Sequence, residues 1–329
     1  MHTSRPSCAP AAGGVGREHT EGDGEAVRDP EEHASKQSEG SLHVSRGSGG
    51  HQTFLLSNIQ GLLGQGGNSK SEFLYDQAIS QQALVVSVTE TWLKPEVKDG
   101  ELLVNFPGYS LFRSDRHNRK GGGVCAFIRD DLSAECIGTY DNGVCELLVL
   151  KIHSLNTVLS VMYRPPDTRL SEFTPVLSEL DKILTDLPSP EPTIVMMGDM
   201  NFPSSVMTWP RVDGHLVPSV RGHRAELTED GLQVRLQAQR LCDIALRHHM
   251  AQLVDQPTHG VEILDLVFTS DLAAVSHIDM EYFPLFTDHK VLSVKVTYKL
   301  GKKPCKEEMF LLDFFLISGR LHGRKSKES

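Results

Sequence analysis

At the middle of the chain lies Thr193-Ile194-Val195-Met196-Met197-Gly198-Asp199-Met200-Asn201. Its first five residues form an unbroken apolar run with β-branched side chains, which is typical of a strand buried on both faces. Residues two apart in a strand point to the same side, so Asp199 and Asn201 can contact one object at the strand end. A carboxylate beside an amide is suited to holding and deprotonating a water molecule. An Asp-Asn turn after a strand is also ordinary turn chemistry, so this stretch alone does not decide the function.

Apolar runs of strand length recur on both sides of this stretch. The run at 54–56 leads to Asn58, a helical pattern covers 71–82, and a strand pattern covers 84–88. Strand, helix and strand in this order predict a parallel pair with a crossover connection. Further strand runs follow, with two longer helical patterns at 170–187 and 229–250. Roughly ten strands and a few helices predict an α/β fold, with two mostly antiparallel sheets packed face to face and helices outside.

The composition divides the chain into three parts. Residues 1–50 are rich in Gly, Ser, Glu and Arg and nearly lack aliphatic side chains. Such a segment cannot bury enough apolar surface to offset its ordering entropy, so it is predicted to be disordered. Residues 51–299 carry the strand and helix patterns and are predicted to form one domain. Residues 300–329 form a tail of basic and apolar blocks, to which the sequence assigns no role.

The net charge and the cysteines narrow the class of protein. A formal charge of −10 argues against coating nucleic acid by bulk charge, but it is compatible with a metal site built from carboxylates. The six cysteines show no C-x-x-C spacing, which predicts reduced core residues in an intracellular protein. No signal peptide is recognised, and the apolar run at 309–317 is short and interrupted by Asp313. We therefore expect no membrane partner.

Asn58 and Glu90 both follow early strand patterns that are predicted to be parallel. Ligand-binding groups collect at the carboxyl ends of such strands. An amide oxygen with a carboxylate would suit Mg²⁺, a hard ion that keeps water and substrate phosphate as its other ligands. The alternative is that Asn58 closes a turn and Glu90 is a solvated loop residue. The two residues by themselves leave both interpretations open.

Asp265 lies inside an apolar strand pattern, where an unpaired carboxylate would cost several kcal/mol, so it should have a partner. The sequence Thr287-Asp288-His289 offers one, because an Asp near a His can orient the ring and hold it protonated. An imidazolium at a phosphate site would stabilise the charge that builds on the phosphate oxygens. The alternative is a structural pair that closes the sheet.

Two further features suit an anionic substrate. Tyr163 ends a strand pattern, where its phenol could donate a hydrogen bond to a phosphate oxygen, although an aromatic residue there also caps a core. A dense basic stretch between two strand patterns suggests where a polyanion would be met. A solvated hairpin tip is the other explanation for such a run. Its basic residues are Arg113, Arg116, Arg119 and Lys120.

Eight motifs now stand in a fixed order along the chain. They are Asn58, Thr89-Glu90-Thr91-Trp92-Leu93, Arg113-Ser114-Asp115-Arg116, Gly121-Gly122-Gly123-Val124, Tyr163-Arg164-Pro165-Pro166, Gly198-Asp199-Met200-Asn201-Phe202-Pro203, Ile263-Leu264-Asp265-Leu266-Val267-Phe268-Thr269 and Thr287-Asp288-His289. This set resembles the endonuclease/exonuclease/phosphatase family, and several of the motifs resemble the endonuclease domain of LINE-type (non-LTR) retrotransposons. The resemblance covers residues 53–299.

The resemblance implies a four-layered α/β sandwich with a site at one edge of its two sheets. It also implies a metal-dependent phosphodiester hydrolase. Glu90 would be the main ligand of Mg²⁺, for which Mn²⁺ could substitute, with Asn58 beside it and Asp288 close to the ion.

The same resemblance implies roles for five further residues. Asp199 would activate the attacking water, and Asn201 would help to hold it. Tyr163 and His289 would contact the scissile phosphate, and Asp265 would orient His289. These roles agree with a general base, a metal and charge-stabilising groups around an in-line attack on phosphorus.

Two departures from the family pattern affect the interpretation. Thr287 stands where the family usually has Ser, which keeps the hydroxyl. LINE-type proteins continue into a reverse transcriptase, which this sequence lacks, so we interpret the chain as an orphaned nuclease domain. The favoured function is a nuclear, DNA-nicking endonuclease with DNA as its partner and no predicted protein partner. The alternatives are a phosphatase for inositol phosphates or phospholipid head groups, and a non-catalytic DNA-binding remnant.

Overall fold

The computed structural model describes residues 52–64, 70–117, 119–212, 215–220 and 228–297. The predictions for residues 1–50 and 300–329 lie outside these residues. Four free cysteines lie within them, of which Cys125, Cys145 and Cys242 are buried and Cys136 is exposed. No helix in the described ranges is long and apolar enough to cross a membrane.

Strands are the most numerous elements of the described chain. In order they are β1 (Gln52–Asn58), β2 (Ala83–Thr89), β3 (Tyr109–Ser114), β4 (Val124–Arg129), β5 (Ala134–Asp141), β6 (Glu146–Ile152), β7 (Thr157–Tyr163), β8 (Thr193–Asp199), β9 (Met207–Thr208), β10 (Arg211–Val212), β11 (His215–Leu216), β12 (Ser219–Val220), β13 (Ala251–Gln252), β14 (Asp265–Thr269), β15 (Val275–Tyr282) and β16 (Lys290–Val296). The helices are α1 (Lys70–Ser80), α2 (Asp99–Leu103), α3 (Leu170–Thr185) and α4 (Glu229–Arg247), with 3₁₀ turns at His153–Leu155 and Leu272–Ala274.

The strands form two large sheets. One has the order β15-β16-β1-β2-β4-β3, and the other has the order β10-β11-β13-β14-β8-β7-β6-β5. Each contains one parallel pair, β1 with β2 and β7 with β8, whose connections pass through α1 and α3. Their other pairs are antiparallel, as predicted. A separate two-stranded sheet pairs β12 with β9.

Alternating side chains place each strand between two apolar layers. In β6, Leu148 and Leu150 pack between the two sheets, whereas Leu147 and Val149 pack towards α3 and α4. A third cluster packs α1 and α2 onto the outer face of the six-stranded sheet. The order helices, sheet, sheet, helices confirms the four-layered α/β sandwich. It also explains why the central strands have unbroken apolar sequences, since both of their faces are buried.

The structure differs from the sequence prediction in its small elements. The described residues contain sixteen strands rather than roughly ten, and five of these, β9 to β13, have only two residues each. A two-residue strand is too short to show the period-2 alternation by which strands are recognised. The five-residue helix α2 was not predicted either. It spans little more than one turn, which is too short to show the 3.6-residue period of a helix.

Candidate active site

The pairing register places the predicted polar residues in rows at one edge of the two sheets. In the eight-stranded sheet, Asp199 is the direct partner of Tyr163 on one side and of Asp265 on the other. In the six-stranded sheet, Asn58 is paired with Thr89, the residue before Glu90. The carboxyl ends of both parallel pairs therefore lie at this edge, as expected for a ligand-binding site on such strands.

The Asn58 amide links the two sheets at this edge. Its Nδ2 donates to Glu90 Oε1 at 3.0 Å and to Asp199 Oδ2 at 2.8 Å. Asn58 and Asp199 are both fully buried. The amide thus holds two carboxylates that lie 109 residues apart in sequence at one point in space.

Asp199 is a buried carboxylate held by neutral donors. Its Oδ1 accepts the backbone N–H of Asn201 at 3.0 Å. Burial and the neighbouring Asp265 carboxylate raise the pKa of Asp199 well above its usual range, while His289 and Asn58 partly oppose the shift. A carboxylate with a raised pKa accepts a proton readily, which is the property of a general base.

Asp265 and His289 form a pair between the sheets. His289 Nδ1 lies 2.7 Å from Asp265 Oδ2, and both side chains are buried. Burial by itself would lower the pKa of His289, but the Asp265 carboxylate outweighs this and raises it to about 9. Because Asp265 begins β14 and His289 immediately precedes β16, the pair closes the two sheets as well as charging the ring. The pair is therefore compatible with both interpretations of Asp265, as a structural pair and as the group that holds the ring protonated.

Tyr163 and Trp92 both contact Glu90. Burial, followed by the nearby Glu90 and Asp199 carboxylates, raises the pKa of Tyr163, so the phenol remains a hydrogen-bond donor. Trp92 Nε1 donates to Glu90 Oε2 at 3.1 Å. Both carboxylate oxygens of Glu90 are therefore oriented by neutral donors.

Arg164 fixes the turn that follows Asp199. It is fully buried, and its Nη1 donates to the carbonyl oxygens of Met200 and Asn201 at 3.1 and 3.2 Å. In return, Asn201 Nδ2 donates to the Arg164 carbonyl oxygen at 3.0 Å. The guanidinium also stacks over the Phe202 ring, 4.4 Å from its centroid. These contacts hold the turn in one conformation.

Backbone strain is concentrated at the same edge. Gln60, Glu90, Trp92 and Asn201 all have positive φ angles, between 48° and 53°. Such angles are uncommon outside glycine and cost of order 1–3 kcal/mol each when the surroundings impose them. The surrounding fold therefore imposes a costly arrangement at these strand ends, which is typical of functional sites.

The site offers oxygen ligands to a hard cation. Asn58 Oδ1 is buried without a hydrogen-bond partner among the described residues, which leaves an acceptor free for a cation. Asp288 is half exposed, and its Oδ1 accepts from Gln60 Nε2 at 2.8 Å. Burial lowers the pKa of Lys70, and the nearby Asp288 and Glu90 carboxylates oppose this shift. An amide oxygen and two partly solvated carboxylates fit the donor set that Mg²⁺ takes.

Two groups of three titratable side chains each bring their ligand atoms within 4.8 Å of one another. One is Asp199, Asp265 and His289, and the other is His259, Asp288 and His289. Glu90 belongs to neither group and is linked to the first through the Asn58 amide. The structure thus gathers the predicted carboxylates, His289, Asn58 and Tyr163 at one edge, with Glu90 on the side nearest Trp92.

The predicted basic loop is exposed to solvent only in part. Arg116 is buried, and its guanidinium is paired with Glu146 and the Val144 carbonyl oxygen. Arg113 donates to the Val97 carbonyl oxygen and pairs with Asp99 at 3.1 Å. The prediction that these two arginines bind substrate is therefore corrected, because both are held in contacts with the protein itself.

Arg119 and Lys120 remain exposed on this loop. Arg119 Nη2 lies 3.2 Å from Asp167 Oδ2 in a solvated ion pair. Such a pair contributes little to the free energy of unfolding, so Arg119 could leave Asp167 to bind a phosphate. The substrate-binding prediction therefore stays open for these two residues.

The Arg116–Glu146 pair leads to a stability prediction. Burial raises the pKa of Glu146 to about 7, although Arg116 and the Gly123 N–H oppose this. Glu146→Gln would leave the buried guanidinium without its counter-charge, and we expect the free energy of unfolding to fall by about 3–5 kcal/mol in urea denaturation at pH 8. Asp131→Asn, which breaks the exposed pair with Arg129, is the matched control and should cost about 0–1 kcal/mol. Equal losses in the two variants would contradict the prediction.

Four residues of the site were not predicted as site residues from the sequence. Lys70 Nζ donates to the carbonyl oxygens of Ile59 and Gln60 at the end of β1. Trp92 and Arg164 orient Glu90 and the turn after Asp199, and His259 lies against His289 with ring centroids 4.6 Å apart. Trp92 and Arg164 fall within recognised motifs, which is a signal for them. Lys70 and His259 carry no such signal.

Comparison with known families gives a match over most of the chain. The profile of the Endonuclease/Exonuclease/phosphatase family matches residues 55–289. No curated protein sequence matches the chain.

Solved structures with this fold include several nucleases. The endonuclease domain of TRAS1, a telomere-specific non-LTR retrotransposon, matches with a TM-score of 0.50 and 15% identity, covering 76% of this chain and 99% of that domain. The AP endonuclease LMAP from Leishmania major matches with a TM-score of 0.52 and 12% identity, covering 76% and 88%. The 3'-5' exonuclease NExo from Neisseria meningitidis matches with a TM-score of 0.50 and 11% identity, covering 75% and 100%. At these identities the likeness concerns the fold.

Proposed function

Because the chain belongs to the endonuclease/exonuclease/phosphatase family, we propose that it is a Mg²⁺-dependent endonuclease that nicks DNA and derives from a LINE-type (non-LTR) retrotransposon. The observation that supports this most strongly is the Asn58 amide, which donates to both Glu90 and Asp199 across the two sheets. It joins the proposed ligand of the ion to the proposed general base. A hydrolase of this class needs both groups within reach of one phosphate.

Asp199 is the proposed base. The Asn201 N–H and the Asn58 amide hold its two oxygens in place, and burial favours its protonated form. The carboxylate can therefore take a proton from a water molecule aligned with the scissile phosphate. Asn201 is proposed to help to hold that water, since Arg164 and Asp199 fix its backbone and Nδ2.

His289 and Tyr163 are the proposed contacts to the scissile phosphate. Asp265 keeps the His289 ring oriented and protonated at neutral pH, so its Nε2–H donates to the developing negative charge. The Tyr163 phenol, which stays protonated, adds a second donor. Glu90, Asn58 and Asp288 would hold Mg²⁺ or Mn²⁺, which would neutralise charge on the phosphate oxygens when bound.

DNA is the proposed substrate and the nucleus the proposed location. The family match and the TRAS1 endonuclease domain, which shares the fold, support a polynucleotide substrate of the retrotransposon type. The exposed Arg119 and Lys120 offer positive charge to a phosphate backbone. No observation in the described part of the chain favours inositol phosphates or phospholipid head groups, so that alternative becomes an outcome of the test.

The test uses supercoiled plasmid with the full chain. We expect conversion to nicked circle with Mg²⁺, complete loss with EDTA, and recovery when Mg²⁺ is returned. Glu90→Ala should abolish nicking because it removes the main proposed ligand, whereas Glu96→Ala, an exposed glutamate six residues away, should leave it unchanged.

Three results would contradict the proposal in different ways. Nicking that continues in EDTA would remove the metal requirement. Release of phosphate from inositol phosphates without nicking would select the phosphatase. Salt-sensitive DNA binding without cleavage of plasmid, abasic or 3'-recessed oligonucleotides would select a non-catalytic remnant.

A further inference from the structure

One cluster at the rim of the site combines two imidazoles with a carboxylate. His259 Nε2 lies 3.3 Å from Asp288 Oδ2, and His289 Nε2 lies 4.0 Å from Asp288 Oδ1. We propose that His259, Asp288 and His289 form a zinc-binding site that shares only Asp288 with the proposed Mg²⁺ site, and that Zn²⁺ bound there blocks nicking. The zinc site follows from these three side chains alone, whereas the block on nicking rests on the proposed function.

The distances fit a tetrahedral ion with little movement. Zn²⁺ binds imidazole nitrogen and carboxylate oxygen at about 2.0–2.2 Å, which sets neighbouring ligand atoms about 3.3 Å apart. The His259–Asp288 distance already has this value, and all three ligand atoms lie within 4.8 Å. Three protein ligands leave the fourth position for water, as in open zinc sites.

The ligand-bearing loops are held in place by the backbone. His259 and His289 form an isolated antiparallel bridge, and the Lys290 N–H donates to the Thr258 carbonyl oxygen at 2.8 Å. Thr258 Oγ1 accepts the backbone N–H of Asp265 at 3.0 Å, which ties the His259 loop to the start of β14. Binding therefore needs little ordering of the chain.

The His289 ring is already oriented as a ligand. Its Nδ1 contacts Asp265, so Nε2 is the nitrogen that faces Asp288 and His259. Zn²⁺ would displace the Nε2 proton to solvent, because an imidazole nitrogen binds a metal only when it is deprotonated. A carboxylate behind the distal nitrogen of a ligating histidine is the usual outer contact of zinc sites, where it fixes the ring and raises its basicity. The buried group of Asp199, Asp265 and His289 has no such outer contact. There, His289 Nδ1 and Asp265 would both have to be ligands, but they already bind each other.

The ligand chemistry separates the two proposed ions. Imidazole nitrogens favour Zn²⁺, whereas Mg²⁺ takes oxygen ligands and keeps its water. The proposed Mg²⁺ ligands Asn58, Glu90 and Asp288 offer only oxygen. Because Asp288 and His289 belong to the proposed nuclease machinery, Zn²⁺ held by them would withdraw both the imidazole donor and one carboxylate from the phosphate. Zn²⁺ should therefore inhibit rather than replace Mg²⁺.

The test first measures metal binding in the absence of DNA. The full chain is titrated with Co²⁺, whose visible absorption reports tetrahedral coordination, and Zn²⁺ is then added to displace it. Outer contacts of metal sites contribute about 10–100-fold to affinity, so loss of a ligand in His259→Ala should weaken binding by at least about 100-fold. His277→Ala removes an exposed histidine that pairs with Asp279 in β15, and it should bind as the wild type does.

Two further measurements distinguish a loss of zinc binding from a loss of folding. His259→Asn, which retains a polar side chain, replaces the alanine variant if circular dichroism shows that the latter is unfolded. In the wild type, Zn²⁺ should also raise the midpoint of thermal unfolding, since it binds the folded state. Equal binding by the wild type and the His259 variants, or an equal loss in His277→Ala, would overturn the zinc site.

Inhibition is then measured by plasmid nicking at fixed Mg²⁺ with increasing Zn²⁺. Half-inhibition should require more Zn²⁺ in the His259 variant, by the same factor as its loss of affinity. Zn²⁺ that binds without slowing nicking would overturn the inhibitory role. A chain that never nicks in Mg²⁺ would overturn the proposed function, while the Co²⁺ titration would still decide the zinc site.

Discussion

Asp199→Ala is expected to lower the rate of plasmid nicking by about 10²–10⁴-fold, which is the usual contribution of a positioned general base. The carboxylate is buried where the two sheets meet, and its two oxygens are held by Asn58 and by the Asn201 backbone. Asp265, which is paired with Asp199 across the two strands, cannot take its place because it is already engaged with His289. Nicked and supercoiled plasmid are quantified over time at saturating Mg²⁺.

The same variant should remain folded. Removing Asp199 leaves the Asn58 and Asn201 donors unpaired, at about 1–3 kcal/mol each. It also removes a carboxylate whose charged form is disfavoured by burial and by the neighbouring Asp265, as the raised pKa of Asp199 indicates. These contributions oppose each other, so the free energy of unfolding should change by less than about 2 kcal/mol. Asp186→Ala, at an exposed aspartate after α3, is the control for both measurements. Wild-type nicking by Asp199→Ala would contradict the assignment of the base.

Gly198→Ala, one residue earlier, is expected to prevent folding. A Cβ at this position would lie 1.8 Å from the Met162 carbonyl oxygen, and φ is +155°. Met162 is the direct partner of Gly198 in the parallel pair of β7 and β8, so the obstacle is backbone that cannot rotate away. The strands would have to separate at the centre of the eight-stranded sheet. We expect a loss of more than about 4 kcal/mol, measured as the yield of soluble protein and by urea denaturation.

Gly100→Ala is the matched control for this substitution. Gly100 lies in α2, and a Cβ there would meet nothing within 4 Å. Alanine is favoured over glycine inside helices by about 0.5–1 kcal/mol, so this variant should be as stable as the wild type or slightly more so. A soluble Gly198→Ala protein with the wild-type unfolding midpoint would show that the two strands are less tightly constrained than their register indicates.

The longer strands and helices could be predicted from the sequence, and so could the positions of the site residues at the ends of the strands. Strands such as β8 have apolar side chains on both faces, and this pattern persists whatever the neighbours are. The crossover between β1 and β2 follows from the order strand, helix, strand, and it fixes Asn58 beside Thr89. Polar residues directly after apolar runs could be recognised as strand ends. Because the ends of neighbouring parallel strands lie at one edge of a sheet, these residues could be expected to lie close together.

The partners of the basic run could not be predicted, in contrast to the Asp265–His289 pair. Arg113, Arg116, Arg119 and Lys120 look alike as a basic run, but their environments depend on partners far away in the chain. Arg116 is buried because Glu146 on another strand supplies the counter-charge, and Gly123 donates to the same carboxylate. Local composition contains no information about such a partner.

The positions of Lys70 and His259 at the site could not be predicted from the sequence either. Lys70 begins α1 and would pass as an ordinary surface residue, yet its ammonium group caps the carbonyl oxygens at the end of β1. His259 follows a proline-containing turn, and only the bridge to His289 brings it to the site. Both depend on how two loops meet, which is set by packing and not by periodicity.

The position of β1 has a consequence for how the protein is made on the ribosome. This first strand lies inside the six-stranded sheet between β2 and β16, and Gln52 is paired with Val296. A nascent chain therefore carries β1 with one hydrogen-bonding edge open until the last described strand emerges. His289 leaves the exit tunnel immediately before that strand. The proposed active site is thus assembled only when this last described strand has been translated, so an unfinished chain would lack the arrangement that the proposed cleavage of nucleic acid requires.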